Sequence, residues 1–181
     1  MKPLGDTDLK RLHREWRQRT EGRLALLLDD LQTPFNVGAI VRTAAAERVE
    51  HVYLCGASAA PTSAKAQKLS MGSERYLEWT ACETAPVAIA AIKAAGYRLV
   101  GIELAGGAVP LHEARLGDDV CLAVGHEDRG LSITVLDACD EVAFIPQLGR
   151  VGSLNVAHAA AIAIYEARRR AWTIEVARPG S

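Results

Sequence analysis

Leu24-Ala25-Leu26-Leu27-Leu28 is an unbroken apolar run with no polar residue at alternate positions. A strand with one wet face alternates polar and apolar side chains, so this run belongs to a strand covered on both faces. Further strand-like segments follow at 51–54, 97–102, 120–124 and 141–145, with a short one at 78–80. Helix-like stretches separate them, at 37–47, around 65–69, at 86–95, 132–138 and 155–170. Pro86 suits a first helical turn, and Gly96 stops that helix. Strand and helix alternate throughout, which predicts an α/β fold, a mostly parallel sheet with helices on both faces. No boundary falls inside 24–170, which reads as one domain. Residues 1–23 read as a basic helical extension (helix over 8–23, ended by Gly22), with Leu9, Leu12 and Trp16 on one stripe. Residues 171–181 read as a C-terminal tail.

Composition excludes several classes. The chain is 49% apolar and 24% charged, as in a globular domain able to bury its own core. No apolar run approaches the ~20 residues that span a bilayer, and the N-terminus carries no signal-peptide core. Cys55, Cys82, Cys121 and Cys139 are widely spaced and form no CxxC pair, so a metal site is not expected. They read as buried thiols of a cytoplasmic protein. The net charge of −1 hides a clustering. Residues 1–23 hold seven Lys/Arg against four acids, and Arg168, Arg169, Arg170 and Arg178 lie near the other end. Two readings are open for these clusters: solvated helix faces, or a footprint for a phosphate backbone.

Three segments carry candidate chemistry. In the first, Asn36, Gly38 and Arg42 follow a loop containing Pro34. Asn36 reads either as a helix cap or as a site residue, and Gly38 permits close approach of a backbone or ligand. Arg42 is embedded among Ile40, Val41 and Ala44, and its planar fork suits phosphate. The second segment is Gly125-His126-Glu127-Asp128-Arg129-Gly130. It fits neither the dinucleotide fingerprint nor the phosphate-binding P-loop, and Glu127 is either a solvated loop side chain or a site residue. The third runs from Ile145 to Ala157, where Pro146, Gly149 and Gly152 set a tight loop before an Ala-rich helix. Ser153 and Asn155 read as helix-capping residues or as part of a loop wrapped around a small molecule. In open α/β sheets such loops, at the carboxyl ends of strands, are where ligands bind.

In combination the three segments resemble the TrmH (SpoU) family of RNA ribose 2′-O-methyltransferases, in the SPOUT superfamily. Asn36, Gly38 and Arg42 match an N-x-G-x-x-x-R motif. Gly125, Glu127 and Gly130 match G-x-E-x-x-G. Ile145, Pro146, Gly149, Ser153, Leu154, Asn155 and Val156 match the family's third motif, in which Gln147 and Ala157 stand where Met and Ser are usual. Lys68 to Trp79 resembles a fourth segment. The resemblance covers about 24–168.

It implies a C-terminal deep trefoil knot, which chain-threading rules alone would not favour. It implies S-adenosylmethionine as cofactor, with Glu103, Leu104, Gly125, Gly130, Ile145, Leu148, Ser153 and Leu154 around it. It implies a homodimer whose active site is completed across the interface, with RNA as substrate and neither DNA nor a membrane as partner. Arg42 becomes the leading catalytic residue, assisting 2′-hydroxyl deprotonation or holding the adjacent phosphate; a guanidinium pKa above ~12 makes the second role easier. Asn36, Glu127, Ser153 and Asn155 become the residues that orient Arg42 and the ribose. No metal is required. Members with ribosomal targets often carry an added N-terminal RNA-binding domain, so transfer RNA is slightly favoured over ribosomal RNA. An inactive RNA-binding or assembly protein of the same fold is the alternative, and an oxidoreductase is the weaker third.

Overall fold

The computed structural model describes residues 2–117 and 119–177, without the side chains of 173–177. Its elements are α1 (Asp6–Gln18), β1 (Leu24–Asp29), α2 (Pro34–Ala46), β2 (His51–Cys55), α3 (Ala64–Ser70), β3 (Glu78–Cys82), α4 (Ala85–Ala94), β4 (Arg98–Ile102), β5 (Val109–Pro110), β6 (Val120–Val124), α5 (Ile133–Ala138), β7 (Glu141–Phe144) and α6 (Val156–Ala177). A 3-10 turn spans Ser73–Tyr76. The seven strands form one sheet in the order β3-β2-β1-β6-β4-β7-β5, and every pairing among the named strands is parallel.

β1 shows why its apolar run is continuous. Successive side chains of a strand point to opposite faces. Leu24, Leu26 and Leu28 join the core under α2 and α6, with Ile40, Val41, Ala160 and Ile164. Ala25 and Leu27 join the core on the other face, with Ile89 and Ile92 of α4 and Val135 of α5. One strand therefore feeds both cores, as expected for a strand at the middle of a doubly covered sheet. β5 was not foreseen. It is two residues long, pairs only with β7 at the sheet edge, and ends in Pro110, which suits an edge position.

Three expectations need correction. α1 ends at Gln18 rather than Arg23, so Arg23 leaves the basic helix. Its Nε and Nη2 donate to Asp119 Oδ2 at 2.9 and 2.7 Å, and Nη2 also donates to the Ala95 carbonyl. The last helix continues past Arg170 to Ala177 instead of giving way to a tail. Arg168 is not on a solvated face. It is only 5% exposed, and its guanidinium donates to the carbonyls of Glu47, Arg48 and Gly22. These include the orphan carbonyls that end α2, so Arg168 acts as a cationic C-cap joining α6 to α2. Arg169 and Arg170 both bond Glu166, leaving little of the expected C-terminal basic patch; Arg178 lies outside the described residues. Cys55, Cys82 and Cys121 are buried, Cys139 is half-buried, and all four are free thiols.

α1 stands apart from both cores, with no buried residue. Its stripe is thinner than expected: Leu9, Leu12 and Trp16 stay exposed, and Trp16 meets Trp172 of α6 with ring centroids 4.9 Å apart.

Candidate active site

β6, β4 and β7 are neighbours in the sheet, so the loops leaving their carboxyl ends converge. They enclose a cavity of about 300 Å³. Glu103 and Leu104 reach it from β4, Gly125 to Gly130 from β6, and Ile145, Ser153 and Leu154 from the segment after β7. Seven of the eight residues expected around a cofactor thus share one wall system. The eighth, Leu148, is fully exposed and does not line it.

The glycines of this loop are structural necessities. His126 and Gly130 exchange backbone hydrogen bonds at 3.0 and 2.9 Å, pinching the loop shut. A Cβ on Gly125 would collide with the Gly130 carbonyl. Gly130 has φ +69°, and a Cβ there would strike the Glu103 carboxylate. That carboxylate accepts from the amides of Leu131 and Leu104, both at 3.0 Å, and so ties the β4 loop to the β6 loop.

Two acids that sequence reasoning missed anchor the same region. Asp29, at the end of β1 and 4% exposed, accepts from the Ser132 amide at 2.7 Å and fixes the start of α5. Asp30, with φ +55°, accepts from the Ala57 amide at 2.9 Å and pairs with Arg129 of the glycine loop at 2.5 Å. The amide bond, then Gln32 and Arg129, hold its carboxyl below the usual range against the opposing effect of burial. An acid closing a strand was the available signal, since a carboxylate there faces loop amides rather than the core.

A polar relay joins the three motif segments. Glu127 Oε1 accepts from the Thr33 amide and from Asn36 Nδ2, each at 3.0 Å. Asn155 Nδ2 donates to Asn36 Oδ1 at 3.1 Å. Burial pushes the Glu127 carboxyl up, but the bonds from Thr33 and Asn36 outweigh it and leave the group below its ordinary value. Asn155 meets its capping reading: its Oδ1 caps α6, accepting from Ala157 at 2.9 Å, while its Nδ2 serves the relay. Asn36 does not cap its helix, because α2 starts earlier, at Pro34, with Thr33 at the cap. Its side chain is thereby free for the relay. Ser153 lines the cavity but stays exposed.

Arg42 is elsewhere. It lies in the same helix as Asn36, six residues on, so about 9 Å further along the axis and about 120° around it. The side chain is exposed and bonds Met71 Sδ, away from the cavity. Gly38 serves helix packing: a Cβ there would collide with the Ala66 carbonyl of α3. Among the described residues no group of three or more His, Cys, Asp or Glu is placed to hold a metal, and no helix is long and apolar enough to cross a membrane.

Comparison with known proteins fits this geometry. Residues 23–165 match the SpoU rRNA Methylase family model. A 23S rRNA (guanosine-2′-O-)-methyltransferase of Acinetobacter baylyi is 32% identical over 92% of this chain and 66% of its own length. A tRNA (guanosine(18)-2′-O)-methyltransferase of Escherichia coli is 31% identical over 84% of this chain and 66% of its own. Among solved structures, an AdoMet-bound rRNA methyltransferase from Sinorhizobium meliloti superposes with TM-score 0.77 at 32% identity, covering 85% of this chain and 59% of that one. A TrmH/SpoU tRNA-modifying enzyme from A. aeolicus gives TM-score 0.76 at 27% identity, covering 92% and 85%. The chain spans between 38% and 66% of the length of these and similar curated relatives. With the family model matched over most of its length and relatives above 30% identity, the chain belongs to the SpoU (TrmH) methylase family.

Proposed function

We propose that this chain transfers a methyl group from S-adenosylmethionine to a ribose 2′-hydroxyl in RNA. The observation that carries the reading is the glycine-locked cavity at the carboxyl ends of β4, β6 and β7, built from the motif residues of two segments and tied by the relay to the third. Its chemistry suits a cationic sulfonium nucleoside. Glu103, Glu127 and Asp128 supply negative charge, and Ile102, Phe144, Ile145 and Leu154 supply apolar wall for a purine. The bound cofactor would supply an activated methyl group with a neutral thioether as leaving group.

A ribose 2′-hydroxyl brought to the cavity would accept that methyl group and give up its proton to solvent water, with S-adenosylhomocysteine as the other product. Arg42 holds the adjacent phosphate and stabilises the developing alkoxide. Glu127, Asn36 and Asn155 fix the geometry between the cavity and α2, and Ser153 helps position the ribose. Alignment of the nucleophile provides much of the acceleration, so rigid positioning groups matter as much as any proton acceptor.

The exposed Arg42 supports a further part of the proposal. The enzyme works as a homodimer, in which Arg42 of one protomer serves the cavity of its partner. The adjacency of β6, β4 and β7, with their loops folded against one another, supports a deep trefoil knot at this end of the sheet. Residues 1–23 act as an RNA-facing extension to the 24–170 catalytic domain, and the protein works in the cytoplasm. Relatives bear names for both ribosomal and transfer RNA, and transfer RNA is the substrate pool proposed first.

The test is methyl transfer from radiolabelled S-adenosylmethionine to unmodified transfer RNA and, separately, ribosomal RNA. Label recovered as an alkali-resistant 2′-O-methyl dinucleotide is the expected result. Cofactor binding without label in either pool would reject the catalytic reading and leave the RNA-binding alternative.

A further inference from the structure

A second concavity, of about 340 Å³, lies between α1, the end of α2, the 3-10 turn and α6, apart from the cavity at the strand ends. Its walls combine two kinds of side chain. Trp16, Trp172 and Tyr76 supply aromatic surface, and Arg17, Arg48 and Arg168 supply positive charge, with Glu47 the one acid among the lining residues. Among the described residues, the side chains of Arg17 and Arg48 make no hydrogen bond or ion pair. Arg168 lines the cleft too, and its hydrogen bonds go to backbone carbonyls. Burial, then the neighbouring Arg48, lowers its pKa, while Glu47 and Glu50 act in the opposite sense. Tyr76 is 69% exposed. Arg75 lies over one face of its ring at 4.7 Å, and among the described residues the ring makes no other aromatic or cation–π contact.

Aromatic faces beside unpaired arginines are the composition of a single-strand nucleic-acid site, where bases stack and cations hold the phosphates. The volume lies within the ordinary range for small-ligand sites, about 300–1,000 Å³. A second copy of this chain fits the cleft less well, because a two-fold contact would set arginines against arginines. The cleft is also close to Arg42. Ala45 and Ala46 line it, one turn further along α2, which is about 5–6 Å.

We propose that this cleft binds an unstacked base of single-stranded RNA on Tyr76, with Arg17 and Arg48 on its flanking phosphates. Resting on the function proposed above, it receives a nucleotide neighbouring the one that Arg42 serves. It thereby selects substrates whose target is flanked by an unpaired base.

The experiment titrates the full chain with a six-nucleotide oligoadenylate and follows tryptophan emission, which Trp16 and Trp172 report from inside the cleft. Saturable quenching is expected, with affinity falling about 5- to 10-fold in Tyr76→Ala and recovering in Tyr76→Phe. Arg17→Glu weakens binding and flattens its salt dependence. Cofactor affinity stays unchanged in all three. Equal affinity in wild type and Tyr76→Ala, or quenching that tracks protein concentration rather than added RNA, overturns the proposal. Methyl-transfer assays separate this claim from the function itself. Transfer with an unchanged KM for RNA in Tyr76→Ala removes the cleft and leaves the enzyme. Oligonucleotide binding that depends on Tyr76, with no transfer by wild type, keeps the cleft and removes the enzyme.

Discussion

The cavity at the strand ends and the exposed face of α2 carry motif residues of the same family, yet they are built in opposite ways. Around the cavity the carboxylates of two motif and loop residues have fixed partners: Glu103 holds two amides, Glu127 holds an amide and Asn36, and the glycine loop is closed on itself. On α2, Arg42 is exposed and bonds only a methionine sulfur. A site that binds a small molecule profits from being finished before the ligand arrives, since ordering costs are already met. A residue that acts on a large substrate, or in a partner's site, must instead stay reachable. The contrast is what the proposed function expects of a chain that completes a binding half and leaves the transfer half to a second molecule.

Mutations sharpen this division, beginning with the largest effect. Arg42→Ala should lower methyl transfer by about 10²–10³-fold or more while cofactor affinity stays within a few-fold, measured by single-turnover rates and calorimetry. Retained turnover would remove Arg42 from the chemistry. Gly130→Ala should do the reverse, weakening cofactor binding by at least about tenfold. The new Cβ strikes the Glu103 carboxylate from a left-handed backbone, so the loop must open. A variant that binds normally would show that the pinch is dispensable.

Glu127→Gln sits between the two halves. Its relay role predicts a rate loss of about 10-fold with the fold intact, because the Gln carbonyl oxygen still accepts from Thr33 and Asn36 but loses the charge that strengthens both bonds. The smallest effect is on stability. The Glu127 carboxyl titrates below its ordinary value, so its contribution is fully present above pH ~4.5 and is lost as pH falls through the folded value. Wild type and Glu127→Gln should therefore differ at neutral pH by less than about 3 °C in Tm and converge under acid. The thiols give a further check on the buried side of the molecule. Burial, followed by Asp29, pushes Cys55 up to about 12, and burial lifts Cys139 to about 11. Neither should alkylate in the native protein at pH 8, and rapid labelling would mean the sheet opens.

Much of the frame was readable from periodicity because β1 is buried on both faces and its sequence records that directly. β5 was not, since two residues carry no period. The helical extension was read too long because charge continues through Arg23 while the backbone turns at Gly22, whose φ is +80°. Arg168 looked like its neighbours in sequence, but one position on a helix separates the buried face from the wet one. Asn36, Glu127 and Asn155 were identified as a set only through family resemblance. Their hydrogen bonds link positions 91 and 119 residues apart, which no local pattern encodes. Asp29 and Asp30 gave no pattern to read, although Asp29 fixes the start of α5 and Asp30 pairs with Arg129 in the cavity wall.

The most direct test of the two-halves account is complementation. Arg42→Ala and Gly130→Ala chains are co-refolded in equal amounts and assayed for methyl transfer at a cofactor concentration that saturates wild type but leaves Gly130→Ala largely empty. If Arg42 serves the partner's cavity, random pairing gives half mixed dimers with one working site each, so activity should return to about a quarter of wild type. Activity no greater than the sum of the two separate variants would contradict the account and place Arg42 in its own chain's chemistry or outside the reaction.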